Sequence, residues 1–147
     1  MTGPAGRDAL GGLEDLVCFD LYAASRSVTA AYRPILSELG LTYPQYLVVV
    51  LLAEHGHLTI SEVARTLRLD HATLTPLLRR LEAAALVTRA RDEQDARSVV
   101  VRLTDRGRRV GAQRTEIQCR VGELLGLDGA EVAQLQRLLR RVSANLA

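Results

Sequence analysis

Apolar residues recur at helical spacing over most of the chain and crowd into strand-like runs in one central stretch. Leu13, Leu16, Val17, Leu21, Val28, Ile35 and Leu39 share one stripe, so residues 13–39 read as a long helical region. Pro34 is expected to kink or split it near Arg33, and Gly40 to end it. Tyr46 to Ala53 is the longest apolar run and is β-branched enough for a buried strand. The Thr42-Tyr43-Pro44-Gln45 opening favours a helix instead, over Pro44 to about Glu54, because proline is tolerated in a first turn.

Punctuation then becomes dense. His55-Gly56-His57 reads as a turn, and Thr59 with Glu62 as a capping box that starts a short helix to Leu67. Arg68-Leu69 is a tight link. Asp70 can cap a helix from His71 to about Ala84 that carries Leu74, Leu77, Leu78 and Leu81 on one side. Leu86–Arg91 and Arg97–Leu103 read as two strands around the polar turn Asp92–Ala96. Thr104 caps a helix expected to run to about Leu125, and Asp128 with Glu131 opens a last one to about Asn145. Residues 1–12, with their Gly and Ala, read as a loose arm. The expected divisions are 1–40, an arm and dimerisation helix; 41–104, a winged helix-turn-helix; and 105–147, C-terminal dimerisation helices.

Composition narrows the class. With 147 residues, 48% hydrophobic and 24% charged, the chain can bury a core, and only 3% is aromatic, so that core is aliphatic. No apolar run approaches the roughly 20 residues of a spanning helix. Met1 to Leu10 lacks a basic-then-apolar leader pattern, and two cysteines are too few for a secreted disulfide scaffold. No membrane association and a cytoplasmic location are expected. The net charge of +2 is unevenly spread: residues 1–64 carry three Arg and seven acids, 65–109 eleven Arg and six acids, and 110–147 five Arg and four acids. One strongly basic segment therefore coincides with the two short helices and the hairpin. All nineteen basic residues are Arg, whose forked donors suit phosphates and guanine edges. Biased genome composition explains that usage equally well.

Two short helices, a tight link and a hairpin make a mainly α fold with a small β-hairpin wing, a winged helix-turn-helix. The second helix would read DNA. Its non-leucine side offers His71, Thr73, Thr75 and Pro76 near the N-terminus, where a helix end favours phosphate, and Arg79 and Arg80 later, where it passes the backbone. Arg89 and Arg97 flank the ribbon, and Arg97 at its tip suits a narrow minor groove. Asp95 is expected to hold the Arg97 guanidinium by a paired hydrogen bond. One recognition helix reads little sequence. A homodimer on a pseudo-palindromic double-stranded operator is therefore expected, joined through the long aliphatic helices at the two chain ends. The bland alternative is an amphipathic helix with a solvated basic face.

The segments Leu41-Thr42-Tyr43-Pro44-Gln45-Tyr46-Leu47, Leu69-Asp70-His71-Ala72-Thr73-Leu74-Thr75-Pro76-Leu77-Leu78-Arg79-Arg80-Leu81-Glu82 and Asp92-Glu93-Gln94-Asp95-Ala96-Arg97-Ser98 closely resemble the MarR (multiple antibiotic resistance regulator) family. Leu16-Val17-Cys18-Phe19-Asp20-Leu21-Tyr22 resembles its organic hydroperoxide resistance branch. The resemblance runs from about Leu13 to about Asn145. It implies a dimeric repressor released by an organic hydroperoxide, with Cys18 as sensor, Tyr32 and Tyr43 of the other subunit as hydrogen-bond donors to it, and Tyr22 as a third tyrosine. It also matches Arg97 and Asp95 to the wing pair of the family. His71 departs from the Ser frequent at its position.

Peroxide attack needs a thiolate, and phenol hydroxyls donating to sulfur favour that form. Cys18 lies between Val17 and Phe19, so an apolar pocket selecting alkyl or lipid hydroperoxides is expected. Some members of the branch carry a second cysteine. Cys119 here suggests a Cys18–Cys119 disulfide between subunits, although an incidental Cys119 fits the sequence equally well. The readings set against this one are a repressor induced by a small aromatic acid, with inert cysteines, and a thiol peroxidase. The peroxidase lacks a Gly-rich loop, a Cys-His motif and a nucleophile elbow, and would leave the basic block unused. His55, His57 and His71 form no metal set, and no cofactor is expected.

Overall fold

The computed structural model describes residues 11–147. Most of the expected arm, and the Met1 to Leu10 stretch, lie outside the described residues. Among the described residues, seven α-helices and three strands follow: α1 (Val17–Ser37), α2 (Tyr43–His55), β1 (His57–Thr59), α3 (Ile60–Leu67), α4 (His71–Ala83), β2 (Val87–Arg91), β3 (Val99–Leu103), α5 (Asp105–Gly111), α6 (Arg114–Leu125) and α7 (Gly129–Asn145). The chain divides into two compact units, Met1–Tyr43, of which residues 11–43 are described, and Pro44–Ala147. Among the described residues no helix is long and apolar enough to cross a membrane.

In the first unit a single 3-10 turn, Leu13–Asp15, precedes α1. Of the kink or split expected at Pro34, the split does not occur: α1 continues through it to Ser37. A proline removes one donor and crowds the carbonyl four residues back, here that of Ala30, and the helix carries that cost through one further turn. Gly40, at φ 68°, makes the exit. Tyr32, Ile35 and Leu36 are buried, whereas Leu13, Leu16, Val17 and Tyr22 are exposed.

The second unit is built on its own apolar core. α2 is apolar all round and buries Tyr46, Val48, Val49, Leu51 and Leu52, which resolves its ambiguous run in favour of helix. Val63 of α3, the four leucines of α4, Leu86, Val87, Val101 and Leu103 complete that core. α3 carries the Thr59/Glu62 capping box, and Asp70 caps α4 through the Thr73 N–H. Arg68 sits in the left-handed region at φ 54° and turns the chain between them, while the Leu69 N–H returns to the Ala64 carbonyl.

The wing is a three-stranded antiparallel sheet, ordered β1-β3-β2, rather than a two-stranded hairpin. His57, expected in a turn, instead opens β1 and pairs with Arg102. β3 starts at Val99, so Arg97 and Ser98 belong to the turn. The long helix expected from Thr104 to Leu125 is two, α5 and α6, separated at Ala112-Gln113. Gly111, buried at the end of α5, faces α2, and a Cβ there would come within 3.2 Å of Ala53 and 3.6 Å of Val49. Thr104 ties α5 to the end of α4: its hydroxyl donates to the Ala85 carbonyl at 2.6 Å and accepts from the Gly107 N–H. A Cβ at Gly107 would overlap the Leu86 carbonyl oxygen.

α7 buries none of its residues. Leu135, Leu138, Leu139, Val142 and Leu146 repeat at spacings of three and four and are all exposed, as are Leu124, Leu125 and Leu127 before them.

Candidate nucleic-acid interface and thiol site

α4 separates its two faces cleanly. Leu74, Leu77, Leu78 and Leu81 are buried. His71, Thr73, Pro76, Arg79 and Arg80 are exposed, with Thr75 half-buried. The Thr75 hydroxyl donates to the His71 carbonyl at 2.8 Å, which leaves its oxygen available only as an acceptor. Asp70 covers the Thr73 N–H, and the remaining first-turn N–H groups keep the positive end of the helix. The bonds from Thr73 hold the Asp70 carboxyl below its ordinary range, and the Thr59 N–H does the same for Glu62 at the start of α3.

The wing brings Arg97 to this end of α4. Thr59, Ile60, Ser61, His71, Arg97, Ser98 and Val99 line one cleft of about 220 Å³. His71 and Arg97, 26 positions apart in sequence, thus share a concavity with the first turn of α3. The Asp95 carboxylate accepts from the Arg97 backbone N–H at 3.0 Å and from the Ser98 hydroxyl at 3.3 Å. It does not grip the guanidinium as expected: a short side chain at this turn reaches the N–H two residues on more readily than a flexible arginine head. Asp92 likewise accepts from the Gln94 N–H, so two of the tip acids order the turn. Arg89 lies within β2 and pairs with Glu82 of α4 at 2.5 Å, so its guanidinium braces the wing against the helix.

The thiol residues are placed as follows. Cys18 is the second residue of α1, exposed, and Tyr22 follows four positions on. Tyr32 and Tyr43 meet, with ring centroids 4.8 Å apart and planes tilted by 47°. Burial pushes the Tyr43 phenol above its ordinary value. Cys119 is exposed on α6. The expected apolar pocket around Cys18 is not closed within one chain, because Leu16, Val17, Phe19 and Tyr22 all stand exposed beside it. These residues occupy the first two turns of α1 and the segment before it. Among the described residues no three His, Cys, Asp or Glu side chains cluster as a metal site.

A family model described as transcriptional regulator SarA/Rot matches residues 30–113. The organic hydroperoxide resistance transcriptional regulator of Bacillus subtilis is 44% identical over 130 residues, 86% of each chain. Among solved structures, reduced AbfR bound to DNA superposes with a TM-score of 0.78 at 31% identity, covering 91% of this chain and 92% of that one. The chain belongs to the MarR family. Within it, the chain is of the organic hydroperoxide resistance type, a DNA-binding transcriptional regulator and not an enzyme. The PcaV regulator from Streptomyces coelicolor, solved with its natural ligand, shares the fold at TM-score 0.84 and 27% identity, covering 95% and 99% of the two chains.

Against that family background, spacing along the sequence does not single out Ser61, Ser98 or Glu82. The serines enter the face only because the sheet folds the wing over α3. Glu82 left a faint signal, an acid directly after Arg79-Arg80-Leu81, but the strand register places Arg89 beside it.

Proposed function

We propose that this MarR-family regulator is a cytoplasmic homodimeric repressor that leaves its operator when an organic hydroperoxide oxidises Cys18. The observation that carries the DNA part is the shared cleft of His71 and Arg97 beside the open end of α4. In this reading His71, Thr73, Thr75 and Pro76 meet base edges and Arg79 and Arg80 meet phosphates. Arg97 enters the adjacent minor groove, steadied by the turn that Asp95 orders, and Arg89 acts through its brace on Glu82. The exposed stripe of α7 supplies the dimer contact, which sets two reading heads about 34 Å apart on a pseudo-palindromic site.

The sensing step uses Cys18 in the first turn of α1, with Tyr22 one turn on and Tyr32 and Tyr43 supplied by the second subunit. Phenol hydroxyls favour the anionic form of a sulfur they donate to. The thiolate attacks the terminal peroxide oxygen, and the O–O bond breaks. A sulfenic acid forms, and the alkoxide leaves as the alcohol after taking a proton. Sulfur loses two electrons and the peroxide gains them. The Cys119 thiol of the other subunit then attacks that sulfur; the S–S bond forms and water leaves. A disulfide needs Cα atoms within about 7 Å; if the reduced thiols lie farther apart than that, closing it moves α1 or α6 and with them the spacing of the heads.

The test is operator binding by the full-length protein, titrated with cumene hydroperoxide and then with reductant. The reduced protein binds, peroxide abolishes binding and reductant restores it. Cys18→Ser binds and does not respond. A Cys18→Ser protein that still responds overturns the sensor assignment and points to induction by a small ligand. On a non-reducing gel, peroxide yields a cross-linked dimer that Cys119→Ser lacks; no cross-link in the parent means that an external thiol resolves the sulfenic acid.

A further inference from the structure

We infer that Arg26 is a positioning residue for peroxide sensing, holding and polarising the Tyr22 phenol on the Cys18 face of α1. This rests on the reading of Cys18 as the sensor. The helix is continuous from Val17 to Ser37, so Cys18, Tyr22 and Arg26 follow one another at intervals of four along one face. Helical side chains lean toward the N-terminus, so Arg26 reaches back over Tyr22 and Tyr22 leans toward the turn that holds Cys18. Two contacts record the first half of this ladder. Arg26 Nη1 donates to the Tyr22 hydroxyl oxygen at 3.2 Å, and the guanidinium carbon stands 5.6 Å from the centre of the Tyr22 ring.

Each contact has a consequence for the phenol. The ring contact restricts where an otherwise exposed tyrosine points. The hydrogen bond places a charged donor on the phenol oxygen, and an oxygen that accepts such a bond makes its own O–H a stronger donor. A polarised, oriented O–H aimed along the Cys18 face is what an anionic sulfur, and the charge that develops on a departing alkoxide, both require. Nothing on α1 draws Arg26 into a helix ion pair instead: the positions three and four residues away are Tyr22, Ala23, Thr29 and Ala30, none acidic. The Thr29 hydroxyl is turned to the Ser25 and Arg26 carbonyls.

The experiment is a double-mutant cycle on the full-length protein. Cumene hydroperoxide is added, nascent sulfenic acid is trapped with dimedone, and labelling is read on the Cys18 peptide by mass. Arg26→Met slows Cys18 oxidation by about two- to fivefold, the range expected from weakening one polarised hydrogen bond. Tyr22→Phe slows it at least as much, and Arg26→Met adds nothing further in the Tyr22→Phe background. Arg26→Lys, which keeps the charge and a donor, recovers part of the rate. An Arg26→Met protein that melts like the parent and oxidises at the parental rate overturns the proposal. So does equal slowing with and without the Tyr22 hydroxyl, which would mean that Arg26 acts without Tyr22. Failure of the underlying reading shows separately, as a peroxide response that survives Cys18→Ser.

Discussion

The reading head and the outer helices treat their apolar residues in opposite ways. In the head, α2, α3, α4 and the sheet hide nearly all of theirs: Val48, Val49, Val63, Leu74, Leu78, Leu81 and Val101 are essentially inaccessible. On α7 the aliphatic side chains all remain at least partly in water, and α1 shows the same bareness from Leu16 to Tyr22. The head is finished by its own chain. The outer helices carry an apolar surface that stays in water, and burying each such leucine is worth about 2 kcal/mol. The same division applies to the candidate sites: the His71–Arg97 cleft is lined within one chain, whereas Cys18 stands exposed among exposed apolar neighbours.

The contrast can be broken first at α7. Leu135→Glu combined with Leu138→Glu places charges in the bare stripe, and the protein sediments as a monomer. Operator affinity falls by about a hundredfold or more, because one head no longer raises the effective concentration of the other. A dimer that persists at the same concentration removes α7 from the interface.

A second break lies inside the head, where substitution should act on stability rather than assembly. Gly107→Ala forces a methyl group against the Leu86 carbonyl and loosens the tie between α5 and the end of α4. A loss of about 3 kcal/mol is expected in urea denaturation, within the range for overpacked sites. An unchanged midpoint would mean that α5 does not need the close approach.

Arg97→Ala sharpens the comparison from the functional side. It lowers operator affinity about tenfold and reduces the dependence on salt, while the monomer–dimer balance stays the same. Equal affinity would remove the wing from the groove.

The smallest effect is that of acid. Glu62 and Asp70 are held below their ordinary carboxylate values in the folded head. Their stabilisation is therefore complete above about pH 4, where the same groups ionise in the unfolded chain, and is lost as the pH falls through their lowered folded values. Glu62→Gln should flatten the part of the acid-unfolding curve below pH 4 that Glu62 contributes. A curve identical to the parent removes that contribution.

Legibility followed distance along the chain. Thr59 with Glu62, Asp70 with Thr73, and Asp128 with Glu131 join residues three apart, and all of these helix starts could be read directly. β1 could not, because three residues carry no period and His57 becomes a strand residue only by pairing with Arg102. The break between α5 and α6 is not legible either, although Gly111 stands beside it, packed toward Val49 and Ala53, far away in sequence. The turn at Asp95 is legible but its partner is not, since the sequence does not say whether a carboxylate bonds the backbone or the side chain of the same arginine.

By itself the sequence determined the helix starts, the leucine face of α4, the basic character of residues 65–109 and the family, because these rest on local hydrogen bonds, helical periodicity and short motifs. Only the tertiary structure decided that His71 and Arg97 line one cleft, that Glu82 braces Arg89, that Arg26 lies over Tyr22, and which aliphatic faces are left bare. Those outcomes depend on where separated segments meet and on which rotamers they select, and neither is encoded in the spacing of residues along one chain.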